Sequence, residues 1–377
     1  MWTTRGQHPK DSPARRWRGW PGWFGWLLIA PAIAWTGWTL ASSPAFAEVH
    51  LAGVRRDDMF FSLGVCATSQ VLICIRWLPL LRAAGVGLRP LDAMATAATA
   101  DALGFVALGS AAADVYRIAA GAHRCGGQRL ALATVVLADR VAGLLALIWL
   151  AAIGATLATQ GSPAWNEFRA ASLPVLWGAA LTGAALVATA LVIDLQPLVE
   201  RACPSSAGQR LILPLLAMAA RFRSQPSAFL AAFLTSLVTH SLNAAVVWSL
   251  AGALVLARPS WPTQCLISSL AMCATVLPLP LGGLGAVELV AEELTRMAVA
   301  NAGGAGLVAT LAARLMSLPI AAAWALVLAV LSRRRGHETA DEGPEQSSIR
   351  SVEKLISGQP VNNAGSPRSP DSPRSIP

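Results

Sequence analysis

Eight runs of about 20 apolar residues fill most of this chain, near 22–41, 59–78, 92–112, 130–158, 172–193, 227–256, 263–281 and 305–331. A run of that length matches the hydrocarbon core of a bilayer, where a backbone must satisfy its own hydrogen bonds as a helix or a closed barrel. The expected fold is all-α, a polytopic helical bundle with the membrane as its solvent. With 55% hydrophobic residues, 13% charged residues and a mean hydropathy of +0.54, the 377-residue chain leaves no room for a separate catalytic domain. The net charge of +9 sits in tails and short loops flanking the apolar runs, where it sets orientation and meets anionic lipid. Nothing resembles a nucleic-acid recognition motif, so no nucleic-acid partner is expected. The six cysteines show no Cys-x-x-Cys or Cys/His spacing, so neither a metal nor a disulfide is expected, and no cofactor is implied.

The ends divide from the membrane part. Residues 1–21 form a basic tail, and the apolar Phe24–Ala41 after Arg15, Arg16 and Arg18 has two readings. Ala45-Phe46-Ala47 before Glu48 has the form of a signal-peptidase site, yet the run is longer than a usual signal core, which favours an uncleaved first helix. From Ser332 the apolar pattern stops at Arg333-Arg334-Arg335, and Pro, Ser and Gly dominate 332–377, as in a disordered tail. Residues 194–226 mix arginines with the apolar Leu211–Leu216 and read as an interfacial segment.

Charge asymmetry then limits the topology. Five basic residues from Arg5 to Arg18 and three at Arg333–Arg335 place both termini in the cytoplasm, so the number of crossings is even. Eight crossings would put Arg117, Arg124 and Arg129, and the 194–226 segment, on the wrong side. Six crossings with re-entrant hairpins at 92–115 and 263–300 remove both faults, the second hairpin being broken by Pro278, Pro280 and three glycines. The order span, span, re-entrant, span over about 22–158 then recurs over about 172–331 from the opposite side, as an inverted repeat. Asp114 precedes Arg140 by 26 residues, and Glu288 precedes Arg314 by 26.

Charges in apolar runs are expected to line a polar interior. Gly282, Gly283 and Gly285, after Pro278 and Pro280, let the backbone turn at membrane depth, and Glu288 opens the next helix with Glu292 and Arg296 on the same face. The freed N–H groups suit an anion such as a lipid phosphate, while a hinge capped by an acid would look the same. Asp114 and Arg117 are spaced to pair with each other or to hold a phosphate. Asp139 and Arg140 are adjacent, so they point apart on a helix and each needs another partner, as does Arg314. His240 and Asn243 read as an interhelical hydrogen-bonding pair rather than a proton relay.

The order Ile75-Arg76-Trp77, Ala113-Asp114-Val115-Tyr116-Arg117, Ala138-Asp139-Arg140-Val141-Ala142-Gly143, then Pro280-Leu281-Gly282-Gly283-Leu284-Gly285-Ala286-Val287-Glu288 and Arg314 resembles the flippase-like transmembrane domain of lysylphosphatidylglycerol synthases and their stand-alone relatives, over about 22–331. The resemblance implies an integral inner-membrane protein of bacteria that moves or handles amphipathic lipids, with a lipid-synthesis enzyme as a candidate partner. Where that family reads Pro-Gly and Gly-Gly before the aspartate, this chain has Leu108-Gly109 and Ala112-Ala113. No aminoacyl-transferase domain is expected after Leu331, so lipid lysinylation by this chain alone is not expected.

Two functional classes follow. One is a lipid transporter in which Arg117, Arg140 and Arg314 meet the phosphate above two backbone breaks. The other is a non-transporting scaffold, or the membrane half of an enzyme completed by a partner. No P-loop motif is present, and the only lysines are Lys10 and Lys354, so a P-loop ATPase is excluded.

Overall fold

The computed structural model describes Trp38 and residues 54–106, 109–158, 161–193, 220, 222–276 and 284–341, with 333–341 as backbone alone. In chain order the helices are α1 (Arg56–Ala83), α2 (Pro90–Val106), α3 (Gly109–Arg124), α4 (Arg129–Leu157), α5 (Pro163–Val192), α6 (Pro226–Ala253), α7 (Trp261–Cys273), α8 (Ala286–Ala298) and α9 (Ala305–Asp341). A 3₁₀ turn, Ala274–Val276, extends α7, and no strand occurs among the described residues. The chain divides after Leu328 into two compact units, and the described part of the second, Ala329–Asp341, is helical. The tail expected to be disordered from Ser332 therefore begins as helix. The first apolar run (apart from Trp38), most of 194–226, Pro278, Pro280, Gly282 and Gly283 lie outside the described residues.

Among the described residues five helices, α1, α4, α5, α6 and α9, are long and apolar enough to cross a membrane, making this a multi-pass helical bundle. At 1.5 Å per residue, the 28 to 30 residues of α1, α4, α5 and α6 run about 42–45 Å, longer than a hydrocarbon core of about 30 Å. The short helices cannot do this. The 17 and 16 residues of α2 and α3 reach about 25 Å, and the 13 residues each of α7 and α8 about 20 Å. Prolines at or beside the first turn start α5, α6 and α7, where the missing N–H costs nothing. Helices α1 and α6 end alike: Val86 N–H reaches Leu81 O and Leu256 N–H reaches Ala251 O around left-handed Gly85 (φ 69°) and Val255 (φ 58°).

Helix α4 supplies the ruler for the hairpins. Near its start, Ala131, Leu132 and Val135 pack with the base of the α2–α3 hairpin (Ala93, Ala97, Ala122). Near its end, Ala151, Ala155 and Ala158 pack with the base of the α7–α8 hairpin (Leu266, Leu294, Ala298). The two hairpins thus enter from opposite ends of the bundle, and their tips meet where Ser110 Oγ donates to Thr275 O at 3.2 Å. Small residues bring the backbones together, as interhelical packing in lipid requires. A Cβ on Gly154 of α4 would fall 2.8 Å from Leu266 N and Pro262 O of α7.

An inverted repeat with an offset of 174 residues organises these contacts. Helices α1 and α6 run antiparallel, joined by Ser62–Ser249 (2.6 Å), Ser69–Asn243 (2.8 Å) and Arg76–Ser236 (3.0 Å). The central pair, Ser69 and Asn243, is itself 174 residues apart, so it lies where a pseudo-twofold axis would pass. Gly121 of α3 approaches Leu132 of α4, and the positions 174 further on, Thr295 of α8 and Gly306 of α9, make the same close approach with the glycine on the other helix. The left-handed residues of the two following loops, Gly127 (φ 92°) and Asn301 (φ 58°), also correspond.

Candidate functional site

A cavity of about 290 Å³ opens where the hairpin tips meet the long helices, with Arg76, Asp101, Arg117, Asp139, Arg140 and Arg314 in its wall. Five helices place these six charges. Arg76 comes from α1, Asp101 from the inner end of α2, Arg117 from α3, Asp139 and Arg140 from α4, and Arg314 from α9.

Asp139 is the hub of one network. Its Oδ1 lies 2.8 Å from Arg76 Nε, and its Oδ2 accepts from Arg76 Nη2 at 2.8 Å and from Arg117 Nη1 at 3.3 Å. Arg76 Nη1 donates to Ser236 Oγ on α6, tying three helices to one carboxylate. Asp139 and Arg117 are buried, at 2% and 5% exposure, and the Arg117 guanidinium carbon stands 6.0 Å from the centre of the Trp77 ring. Two arginines share one aspartate, and Asp101, from α2, lines the same cavity.

The adjacent residue, Arg140, points elsewhere, as its helical position requires. Its Nε and Nη2 each donate to one oxygen of Asp114 at 2.9 Å, a two-point grip, and Nη2 also reaches Ser110 O at 3.1 Å. Arg117 is 3.9 Å from the same aspartate, so its closer partner is Asp139. In the second half, Arg314 Nε lies 2.9 Å from Glu288 Oε1. The 26-residue spacings seen in the sequence are therefore two ion pairs in equivalent places. In each half an arginine faces the cavity and a carboxylate stands behind it.

Gly285 (φ 89°) caps α8, and its N–H donates to Glu288 Oε2 at 2.7 Å. Glu288, at 1% exposure, thus serves as both helix cap and counter-ion to Arg314. Glu292 does not join the site. Its carboxylate accepts from Gly304 N at 2.6 Å and Leu307 N at 3.1 Å, capping the start of α9, where unpaired N–H groups and the helix dipole hold an acid more firmly than a long arginine would. The Glu292–Arg296 pair expected from spacing is replaced by an exposed Arg296–Glu293 contact of 3.9 Å.

Sequence reasoning gave no site role to Arg76, because the second apolar run ends at 78 and Arg76 reads as a boundary residue. The helix continues to Ala83, which places the arginine inside the bundle, and the same exclusion of charge from hydrocarbon would have found it. Asn243 does bond across helices, accepting from Ser69, while the His240 ring lies in the cavity wall against Gly143 of α4.

Fold and site define a class: a multi-pass helical membrane protein with two inverted halves, each offering an arginine to one shared interior cavity. No family model matches the chain, and no curated protein matches it by sequence.

Proposed function

We propose that this protein moves or presents an amphipathic lipid (a phospholipid, glycolipid or isoprenoid lipid) in the bacterial inner membrane, holding the head group in the cavity between its halves. The supporting observation is the equivalence of Arg140 and Arg314, one from each half, on one cavity of about 290 Å³ at the hairpin tips. Arginine presents a planar fork that fits a phosphate, and a cavity at the interface of inverted repeats is where such folds place their cargo. A resident carboxylate behind each arginine keeps the empty site neutral. Phosphate binding then gains only the difference between two partners, which suits a cargo that must leave again.

In this reading Arg117 and Asp139 shape and charge the wall rather than grip cargo, and both termini face the cytoplasm. The chain itself is no enzyme and uses a gradient, a partner or downhill movement as its energy source. The resemblance to the lysylphosphatidylglycerol synthase membrane region favours the same class, with a lipid-synthesis enzyme as a natural neighbour.

Purified protein in liposomes is expected to expose inner-leaflet fluorescent phosphatidylglycerol to an external quencher, beyond the half reached without protein. Quenching that stops at that half would instead favour the membrane subunit of a partner-completed enzyme.

A further inference from the structure

The geometry points to a zwitterionic phospholipid as the cargo, with its phosphate on Arg140 and Arg314 and its primary ammonium on Asp101; this rests on the lipid-handling reading above. The first observation is an acceptor left open. Asp101 reaches the cavity wall from the inner end of α2, where Gln70 of α1 donates toward its carboxylate and Oδ2 is buried without a hydrogen-bond partner of its own. An ionised carboxylate has about four acceptor positions, so one amide leaves most of them open. The other carboxylates of the site are engaged. Arg76 and Arg117 hold Asp139, Arg140 grips both oxygens of Asp114, and Glu288 meets Arg314 and Gly285 N–H. Asp101 shares the space with these arginines yet joins none of the ion pairs. Water can serve Oδ2 in a cavity of about 290 Å³, and a charged donor there binds more strongly than water.

The second observation is the charge balance. Arg76, Arg117, Arg140 and Arg314 in the wall are matched by Asp101 and Asp139 beside them and by Asp114 and Glu288 directly behind. Net charge at membrane depth is expensive, so a head group that brings none is favoured. An anionic head group would leave the filled cavity with an unmatched negative charge. A phosphate joined to an ammonium leaves it neutral. Arg140 acts electrostatically on Asp101, so a phosphate on the arginine and an ammonium on the aspartate fall within one cavity. A primary ammonium carries three N–H donors and a trimethylated one carries none. The open Oδ2 should therefore distinguish ethanolamine from choline, although the two have the same charge.

The test is calorimetric titration of dihexanoylphosphatidylethanolamine into the full-length protein in detergent near neutral pH, beside the phosphatidylcholine and phosphatidylglycerol of the same chains. Glycerophosphoethanolamine, the same head group without chains, is a parallel arm. Wild type is expected to bind the ethanolamine lipid at least about tenfold more tightly than either other lipid, the scale of one hydrogen bond to a charged group. Asp101→Asn and Asp101→Ser are expected to erase the preference over choline and to put phosphatidylglycerol ahead, since the wall then carries one positive charge more. A merely structural loss would not invert the order. Equal binding of the ethanolamine and choline lipids by wild type overturns amine recognition and leaves the lipid reading standing, whether or not a variant folds. So does a preference that survives in both Asp101 variants or disappears only in Asp114→Asn. Binding of glycerophosphoethanolamine but of no lipid keeps the head-group assignment and sinks the lipid reading. Binding of none overturns both.

Discussion

Asp139→Asn is expected to cost about 3–5 kcal/mol of stability, the range for breaking a buried ion pair from one side. The asparagine keeps the shape but leaves Arg76 and Arg117 facing each other without their shared carboxylate, inside a wall where Asp139 is 2% exposed. Three helices meet at that carboxylate, so the damage should spread beyond the cavity: a lower melting temperature in detergent and less protein recovered from the membrane. Adding Arg117→Met to Asp139→Asn should recover part of the loss by removing one of the stranded cations. Wild-type melting of the single variant would mean the network contributes nothing to the fold.

Arg140→Ala and Arg314→Ala are both expected to reduce lipid movement in liposomes to the protein-free rate, with different effects on stability. Removing Arg314 leaves Glu288, its side chain at 1% exposure, with the Gly285 N–H as its remaining partner among the described residues. Removing Arg140 leaves Asp114, whose side chain is 22% exposed and within reach of polar surroundings. Arg140→Ala should therefore separate function from folding, while Arg314→Ala should lower the melting temperature as well. Lysine should rescue poorly at 140, because Asp114 is held by two nitrogens of one planar group. Full movement in both Arg140→Lys and Arg314→Lys would show that charge alone suffices.

Much of the architecture was legible because hydrocarbon permits so few solutions. Apolar run length gave the long helices, and the placement of Arg117, Arg124 and Arg129, with the proline and glycine break in 263–300, pointed to hairpins. The 26-residue spacing of acid and arginine survived as two ion pairs because a repeat preserves register. What the sequence hid were partners set by tertiary contact. Glu292 has the spacing of an internal helix pair, yet the start of α9 arrives beside it and offers backbone N–H groups. Arg76 reads as the end of a run because Pro79 and Arg82 interrupt the apolar pattern, although α1 passes through both. Asn243 and His240 are one turn apart and chemically alike in a sequence reading. Only the antiparallel crossing of α1 brings Ser69 to the first and leaves the second facing a cavity.

The inverted repeat is tested most directly by the sidedness of its two equivalent loops. Single cysteines at Gln128, after the first hairpin, and at Gly303, after the second, both exposed positions, would be placed in a cysteine-free background. They would be labelled in intact cells and in inverted vesicles with a membrane-impermeant maleimide. Gln128→Cys is expected to label only in inverted vesicles and Gly303→Cys only in intact cells. Labelling of both from the same face would contradict two halves of opposite orientation, and with them a cavity built from one arginine of each.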